Sequence, residues 1–173
     1  GNTIYKTEDR YCENCKNISY LSNEVPMIKD NFKQIFSPQT AYQITSMLKG
    51  VIERGTGKGL KDLKLELAGK TGTTNKNTDT WFIGFTSNLV VGVYIGYDNP
   101  KTLGKFETGS KAALPIFKDF VEKSLFKEDF EEFQIPENIY LTSINYDTGY
   151  KSSPGEKNSI IEALKFKDIN NML

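Results

Sequence analysis

The 173-residue sequence contains no histidine and only two cysteines. Without histidine the chain cannot form a Ser-His-Asp or Cys-His nucleophilic site, or a histidine-ligated zinc site. Cys12 and Cys15 form one C-x-x-C, whereas a zinc ribbon needs a second pair and a redox motif needs a βαβ context. We assign no function to this pair, and its redox state stays open. A proton carrier in this chain would be Lys, Asp, Glu, Tyr or water.

The sequence also lacks a charge imbalance and a long apolar run. Its 22 basic and 22 acidic residues cancel, so no net field favours nucleic acid. The longest apolar run, 89–95, is interrupted by Gly92 and is too short to span a bilayer. No signal peptide opens the chain. We therefore expect either a cytosolic protein or a chain separated from its targeting segment.

Two stretches have helical periodicity. Pro38 is suited to a first helical position, and the apolar residues that follow it predict a helix over 38–54 that is buried on one side: Ala41, Ile44, Met47, Leu48, Val51 and Ile52. Gly55 predicts a left-handed stop, followed by a flexible connection. A second helix is predicted over 111–126, with Pro115 in its first turn and an apolar face of Ala113, Phe117, Phe120, Val121 and Leu125.

Between these helices the pattern changes to a period of two. Strands are predicted at about 64–74, 80–86 and 89–97, which in sequence order form an antiparallel three-strand meander. Helices covering this sheet give an α+β fold. We expect the sheet aromatics to pack against the helices as core, with an exposed binding face as the alternative: Trp81, Phe82, Phe85, Tyr94 and Tyr97.

Three segments are predicted along the chain. Residues 1–36 have the character of short strands and turns, with a hairpin tip at 10–17, and residues 37–132 form the core. Residues 133–173 form a polar tail, with a strand predicted at 139–145 and a helix at 159–167.

The stretch "LAGKTGTTNKNTDTWFIG" (67–84) concentrates the side-chain chemistry of the sequence. A P-loop is excluded because the required earlier glycine position is Lys64 and no helix follows. A strand with lysine and threonines on a solvated face is one open interpretation. The other is the K-T-G strand of penicillin-recognising serine enzymes. In such a strand Thr71 and Thr73 share a face and reach one carboxylate, while Gly72 allows a ligand backbone to approach.

Context favours the K-T-G interpretation. The segments "SPQTAYQITSMLKGVIERGTG", "LAGKTGTTNKNTDTWFIGFTSNLVVGVYIGYDNPKTLG" and "ETGSKAALPIFKDFVEKSL" resemble the C-terminal half of the transpeptidase domain of class A (bifunctional) penicillin-binding proteins. The resemblance is dense over 37–126 and looser over 133–165. It implies part of the transpeptidase fold shared by penicillin-binding proteins and serine β-lactamases.

The resemblance also implies a function. The parent would be a serine-type D,D-transpeptidase that cross-links peptidoglycan stem peptides ending in D-Ala-D-Ala through an acyl-serine, and β-lactams would acylate the same serine. A glycosyltransferase domain would lie upstream, and an N-terminal anchor would hold the protein on the periplasmic side of the bacterial inner membrane. No cofactor, metal or nucleic acid is implied. Lys70 and Thr73 would be catalytic, and Thr71, Gly72, Thr73 and Thr74 would bind the substrate.

The nucleophile is expected to be absent. "SMLK" (46–49) and "SLFK" (124–127) fit S-x-x-K, and "SIN" (143–145) fits S-x-N, but their order and positions do not match the family. We therefore expect a fragment that is inactive alone, that is marginally stable or self-associating, and whose main partner is the missing N-terminal half. The alternatives are a fragment of a β-lactamase or D,D-carboxypeptidase, or a non-catalytic protein-binding module.

Overall fold

The computed structural model describes residues 10–12, 28–30, 34–124 and 131–170. The chain divides into two compact units, residues 1–37 and 38–173. In the first unit, β1 (Arg10–Cys12) pairs antiparallel with β2 (Ile28–Asp30). Most of the predicted hairpin tip at 10–17, including Cys15, lies outside the described residues.

The second unit begins with α1 (Pro38–Glu53), which starts at the proline as predicted. We predicted that Gly55 ends this helix in a left-handed conformation. That prediction is wrong, because Gly55 is not among the glycines with positive φ. Gly55 instead approaches the helix closely, since a Cβ there would lie 2.9 Å from Val51 Cα. The predicted buried stripe is also wrong in part: Ile52 is buried, but Ile44 and Met47 are 52% and 58% exposed. The helix contacts β3 and β7.

The connection after α1 is ordered, which corrects the predicted flexible linker. Residues Lys58–Leu63 form a 3-10 helix that buries Leu60 and Leu63. Lys64 ends it in the left-handed conformation, with φ of 54°. The first strand of the meander therefore starts at Ala68 and not at residue 64. The alternation that we interpreted as a strand runs from Leu63, at the end of the 3-10 helix, through Leu65 and Leu67 in the irregular connection before β3.

The predicted meander is confirmed. Strands β3 (Ala68–Thr73), β4 (Asp79–Phe85) and β5 (Val90–Gly96) form an antiparallel sheet in the order β3-β4-β5. One face of the sheet carries the core, a cluster of Ile52, Leu60, Leu63, Leu67, Phe82, Ala113, Leu114, Phe117 and Val121. Phe82 and Phe117 meet edge to face at its centre, with ring centroids 4.8 Å apart.

The second predicted helix is confirmed with a different first turn. A π-helical turn (Gly109–Ala113) leads into α2 (Leu114–Ser124), so Pro115 lies in the first turn. Ala113, Phe117 and Val121 are buried as predicted, whereas Phe120 is 44% exposed. Leu125 lies outside the described residues.

The sheet aromatics divide between its two faces. Phe82 is core, but Trp81 and Tyr94 are 41% and 50% exposed and pack on each other on the opposite face. Tyr97 is 45% exposed. The expectation that helices cover all five aromatics is therefore wrong for Trp81, Tyr94 and Tyr97, because α1 and α2 pack on the Phe82 side of the sheet.

The tail contains a two-stranded sheet of its own. The predicted strand is confirmed as β6 (Ile139–Asn145), but the predicted helix at 159–167 is wrong. Residues Ser159–Lys165 form β7, antiparallel to β6 over seven pairs, and only Phe166–Asn170 form a short helix, α3. Side chains of α1 hold this hairpin: the Gln43 amide donates to the Ala163 carbonyl at 3.2 Å, and the Lys165 ammonium donates to Thr40 Oγ1 at 3.0 Å.

Candidate active-site strand

The K-T-G residues lie on β3, an edge strand of the three-stranded sheet. Its one strand neighbour among residues 34–124 and 131–170 is β4. An edge strand presents backbone N–H and C=O groups that an extended ligand can pair with. None of the described strands therefore covers the edge of β3 that faces away from β4.

The register of β3 and β4 separates the lysine from the two threonines. Thr71 pairs with Phe82 and Thr73 with Thr80, so both threonines lie on the core face of the sheet. Lys70 pairs with Ile83 on the opposite face. The Lys70 side chain is exposed, and its ammonium donates a hydrogen bond of 3.0 Å to the Thr71 carbonyl. The cation thus lies against its own strand, at the backbone carbonyl of Thr71.

Within the described part of the chain, the hydroxyls of Thr71 and Thr73 each have one hydrogen-bond partner. Thr71 Oγ1 lies 2.9 Å from Thr56 Oγ1, in the connection after α1. Thr73 Oγ1 accepts a hydrogen bond of 3.0 Å from the backbone N–H of Gly109. A hydroxyl has one proton and two acceptor positions, so Thr73 keeps its proton for a ligand.

Thr74 holds the turn that follows β3. Its hydroxyl accepts the backbone N–H of Asp79 at 2.9 Å and lies 2.8 Å from Thr78 Oγ1. Asp79 in turn accepts a hydrogen bond of 2.8 Å from the Tyr94 hydroxyl. This bond, with those from Thr78 and Thr74, holds the pKa of Asp79 below its ordinary value. The network fixes the exposed end of the strand.

The residues that fit the serine motifs have other partners. Ser46 and Lys49 line a groove of about 430 Å³ between α1 and the β6–β7 hairpin, and Lys49 forms an ion pair with Glu66.

The other two matches lie in the tail and at the end of α2. Ser143 Oγ lies 3.3 Å from Ser152 Oγ, and Asn145 Oδ1 accepts backbone N–H groups of the hairpin turn. Ser124 ends α2, and Lys127 lies outside the described residues.

The sequence did not indicate Gly109, Asn77 or Thr56 as neighbours of the strand. "TGS" at 108–110 looks like an ordinary helix start, and "NKN" at 75–77 looks like an ordinary turn. Gly109 lies 36 positions after Thr73, so no local pattern could connect them. Co-variation between these positions would be the signal that finds them.

Comparisons with known proteins agree on one family for this chain. The family model for the penicillin binding protein transpeptidase domain matches residues 21–122. Penicillin-binding protein 1A of Rickettsia bellii is 43% identical over 176 residues, covering 100% of this chain and 21% of its own length. Penicillin-binding protein 1A of Pseudomonas aeruginosa is 40% identical over 137 residues, which is 79% of this chain and 17% of the relative.

A solved structure has the same fold. The crystal structure of penicillin-binding protein 1A from Haemophilus influenzae aligns with a TM-score of 0.64 and 29% identity, over 74% of this chain and 20% of that one. The chain therefore belongs to the penicillin-binding protein transpeptidase family and corresponds to part of the transpeptidase domain of a class A penicillin-binding protein. It spans about a fifth of the length of the curated relatives it matches. Among the residues that the structure describes, none of the helices has the length and apolar character to cross a membrane.

Proposed function

We propose that this chain supplies the K-T-G wall of a D,D-transpeptidase cleft. Its ligand is the terminal carboxylate of a peptidoglycan stem peptide ending in D-Ala-D-Ala, or the carboxylate of a β-lactam. One observation carries the proposal: β3 is an edge strand with Thr71 and Thr73 on one face, and the exposed Lys70 on the other face brings its ammonium to the Thr71 carbonyl. Hydroxyl and ammonium donors to one carboxylate form strong, charge-assisted hydrogen bonds.

Each residue has a distinct role in this proposal. The Thr71 and Thr73 hydroxyls donate to the carboxylate, and the backbone N–H of Thr73 stabilises the oxyanion of the tetrahedral intermediate. Gly72 lets the ligand backbone approach the strand edge. Lys70 contributes positive charge and takes part in the proton network around the reacting serine. Thr74 belongs to the same ligand-binding set and holds the turn that ends it.

The nucleophilic serine belongs, in this proposal, to a segment outside these 173 residues. The relatives are about five times as long as the chain, which leaves room for the serine motifs, a glycosyltransferase domain and a membrane anchor. Lys49, the base that the "SMLK" match would need, is ion-paired with Glu66. The full-length protein would then act at the periplasmic face of the inner membrane and cross-link stem peptides through an acyl-serine.

Covalent labelling by a fluorescent penicillin tests the proposal. The full-length protein should become labelled, and Thr73→Val should lower the second-order acylation constant by about tenfold or more. Thr142→Val, in β6 of the tail sheet, is the matched control and should be labelled at the wild-type rate. Lys70→Gln should also lower acylation, because it removes the positive charge.

Three results would count against the proposal in different ways. A full-length protein that is never labelled would refute the cleft. Covalent labelling of the 173-residue chain alone would refute the external nucleophile. Rapid release of hydrolysed drug by the full-length protein would instead favour a β-lactamase over a transpeptidase.

A further inference from the structure

Residues 103–110 lie between β5 and α2 and include the first two residues of the π-helical turn; we name them the 103–110 segment. They are hydrogen-bonded to the K-T-G strand and to the turn that follows it. The Asn77 side-chain amide donates to the carbonyls of Gly104 and Lys105, both at 2.9 Å. The Asn77 carbonyl accepts the N–H of Leu103 at 2.8 Å. Asn77 has φ of 51°, a left-handed conformation that asparagine tolerates better than most residues. These three hydrogen bonds hold the start of the segment against the turn after β3.

Gly109 brings the other end of the segment into contact with the strand. Its N–H donates to Thr73 Oγ1 at 3.0 Å, and the residue is buried. A Cβ at this position would lie 2.4 Å from the Trp81 carbonyl oxygen and 2.8 Å from the Gly72 carbonyl oxygen. Both contacts are with backbone, which cannot move aside as a flexible side chain can. Only glycine therefore allows the backbone N–H to reach the Thr73 hydroxyl.

This contact restricts the directions in which the Thr73 hydroxyl can donate its proton. The Gly109 N–H occupies an acceptor position of the oxygen, so the hydroxyl proton points away from Gly109. A threonine hydroxyl without such a partner can turn its proton to nearby backbone carbonyls. A hydroxyl held as a donor is prepared for an anionic ligand before the ligand arrives, and this lowers the ordering cost of binding.

We propose that Gly109 is a positioning residue that orients the Thr73 hydroxyl proton toward the ligand carboxylate, and that Asn77 holds the 103–110 segment in the position this requires. The inference rests on the proposed function of the K-T-G strand. It adds two residues that act through Thr73 and do not themselves touch the ligand.

The first test is the acylation constant of the full-length protein with fluorescent penicillin. Gly109→Ala should lower it by about tenfold to a hundredfold, because the carboxylate loses a pre-oriented charge-assisted hydrogen bond. Gly92→Ala in β5 is the matched control, since its Cβ would meet only Ile83 Cγ1, at 3.9 Å. The control should stay within about twofold of the wild type.

A double-mutant cycle separates orientation of Thr73 from general damage. In a Thr73→Val background the hydroxyl is gone, so adding Gly109→Ala should change acylation by less than about twofold. A further decrease as large as in the wild-type background would overturn the inference. Penicillin methyl ester, which lacks the anionic carboxylate, should be affected less by Gly109→Ala than the free acid.

Asn77→Asp provides a second variant in case Gly109→Ala fails to fold. It keeps the side-chain shape and the tolerance of positive φ, but replaces the amide donor by a carboxylate that cannot donate to Gly104 and Lys105. It should lower acylation at least about tenfold while the protein still melts cooperatively. If Asn77→Asp or folded Gly109→Ala is labelled at the wild-type rate, this inference alone is overturned. If the unsubstituted full-length protein is never labelled, the proposed function is overturned as well.

Discussion

Glu66 joins the transpeptidase core to the tail: its Oε2 accepts a hydrogen bond of 2.6 Å from the backbone N–H of Phe133. Its Oε1 forms the ion pair with Lys49 of α1. Both side chains of this pair are 25% exposed, so solvent screens the contact only in part. One carboxylate thus links the stretch before β3, the helix α1 and the start of the tail.

The substitution Glu66→Gln should loosen this junction. The new side-chain amide can still accept the Phe133 N–H, but the ion pair is lost, and we expect the free energy of unfolding to fall by about 1–2 kcal/mol. Hydrogen exchange at the Phe133 amide should accelerate, because the neutral acceptor is weaker. Glu156→Gln, at an exposed turn of the hairpin, is the control and should change neither measurement. Unchanged exchange at Phe133 would show that the junction does not depend on the charge.

The centre of the core should be sensitive to truncation of Phe117. This ring is 1% exposed and packs edge to face on Phe82. Phe117→Ala should lower the free energy of unfolding by about 3–5 kcal/mol through lost burial and the cavity it leaves. Phe120→Ala on the same helix removes a ring that is 44% exposed, and should cost less than about 1 kcal/mol. Equal losses in urea denaturation would mean that α2 presents a different face to the sheet.

Thr80 carries a hydroxyl that the fold does not satisfy. It is 0% exposed, and its Oγ1 has no hydrogen-bond partner among the described residues. Thr80→Val keeps the shape and removes the buried polar group, so we expect a gain of about 1 kcal/mol in stability. Thr86 is the matched control: it is also buried, but its hydroxyl donates to Asn88 Oδ1 at 2.8 Å. Thr86→Val should therefore destabilise the chain, and thermal melts of both variants should shift in opposite directions.

The hydrogen bond from Tyr94 to Asp79 should appear in the acid stability of the chain. Because the pKa of Asp79 is lowered on folding, its contribution is present above its ordinary pKa of about 4 and is lost as pH falls through the lowered value. Tyr94→Phe removes the largest cause of the shift, so the pKa of Asp79 should rise toward its ordinary value.

Thermal melts between about pH 6 and pH 3 and an NMR titration of Asp79 measure this effect. The difference in stability between the wild type and Tyr94→Phe should shrink as the pH falls. Tyr97→Phe is the control. Lys101 Nζ lies 4.0 Å from the centroid of the Tyr97 ring, and phenylalanine keeps that contact. A constant difference across the pH range would contradict a role for the Tyr94 hydroxyl at Asp79.

Local patterns predicted the elements whose signals are contained within a few residues. Proline marked the start of α1, and the hydrophobic pattern located the meander and the strand at 139–145. The helix predicted at 159–167 was wrong for residues 159–165, whose apolar residues also recur at helical spacing. This segment is a strand because it pairs with β6. A pattern read over a few neighbouring residues contains no information about such a partner. The K-T-G residues were identified for their chemistry and their resemblance to a family, and their roles remain predictions.

The sequence by itself indicated the family of the chain and the order of the three strands of the meander, because these depend on residue type and short spacing. Only the tertiary structure decided that Ile44 and Met47 stay exposed on α1, that Trp81 and Tyr94 face away from the helices, and that Gly109 reaches Thr73. The reason is physical: burial and orientation depend on which distant segments arrive at a surface. Those contacts join residues tens of positions apart, where spacing along the chain carries no information about distance in space.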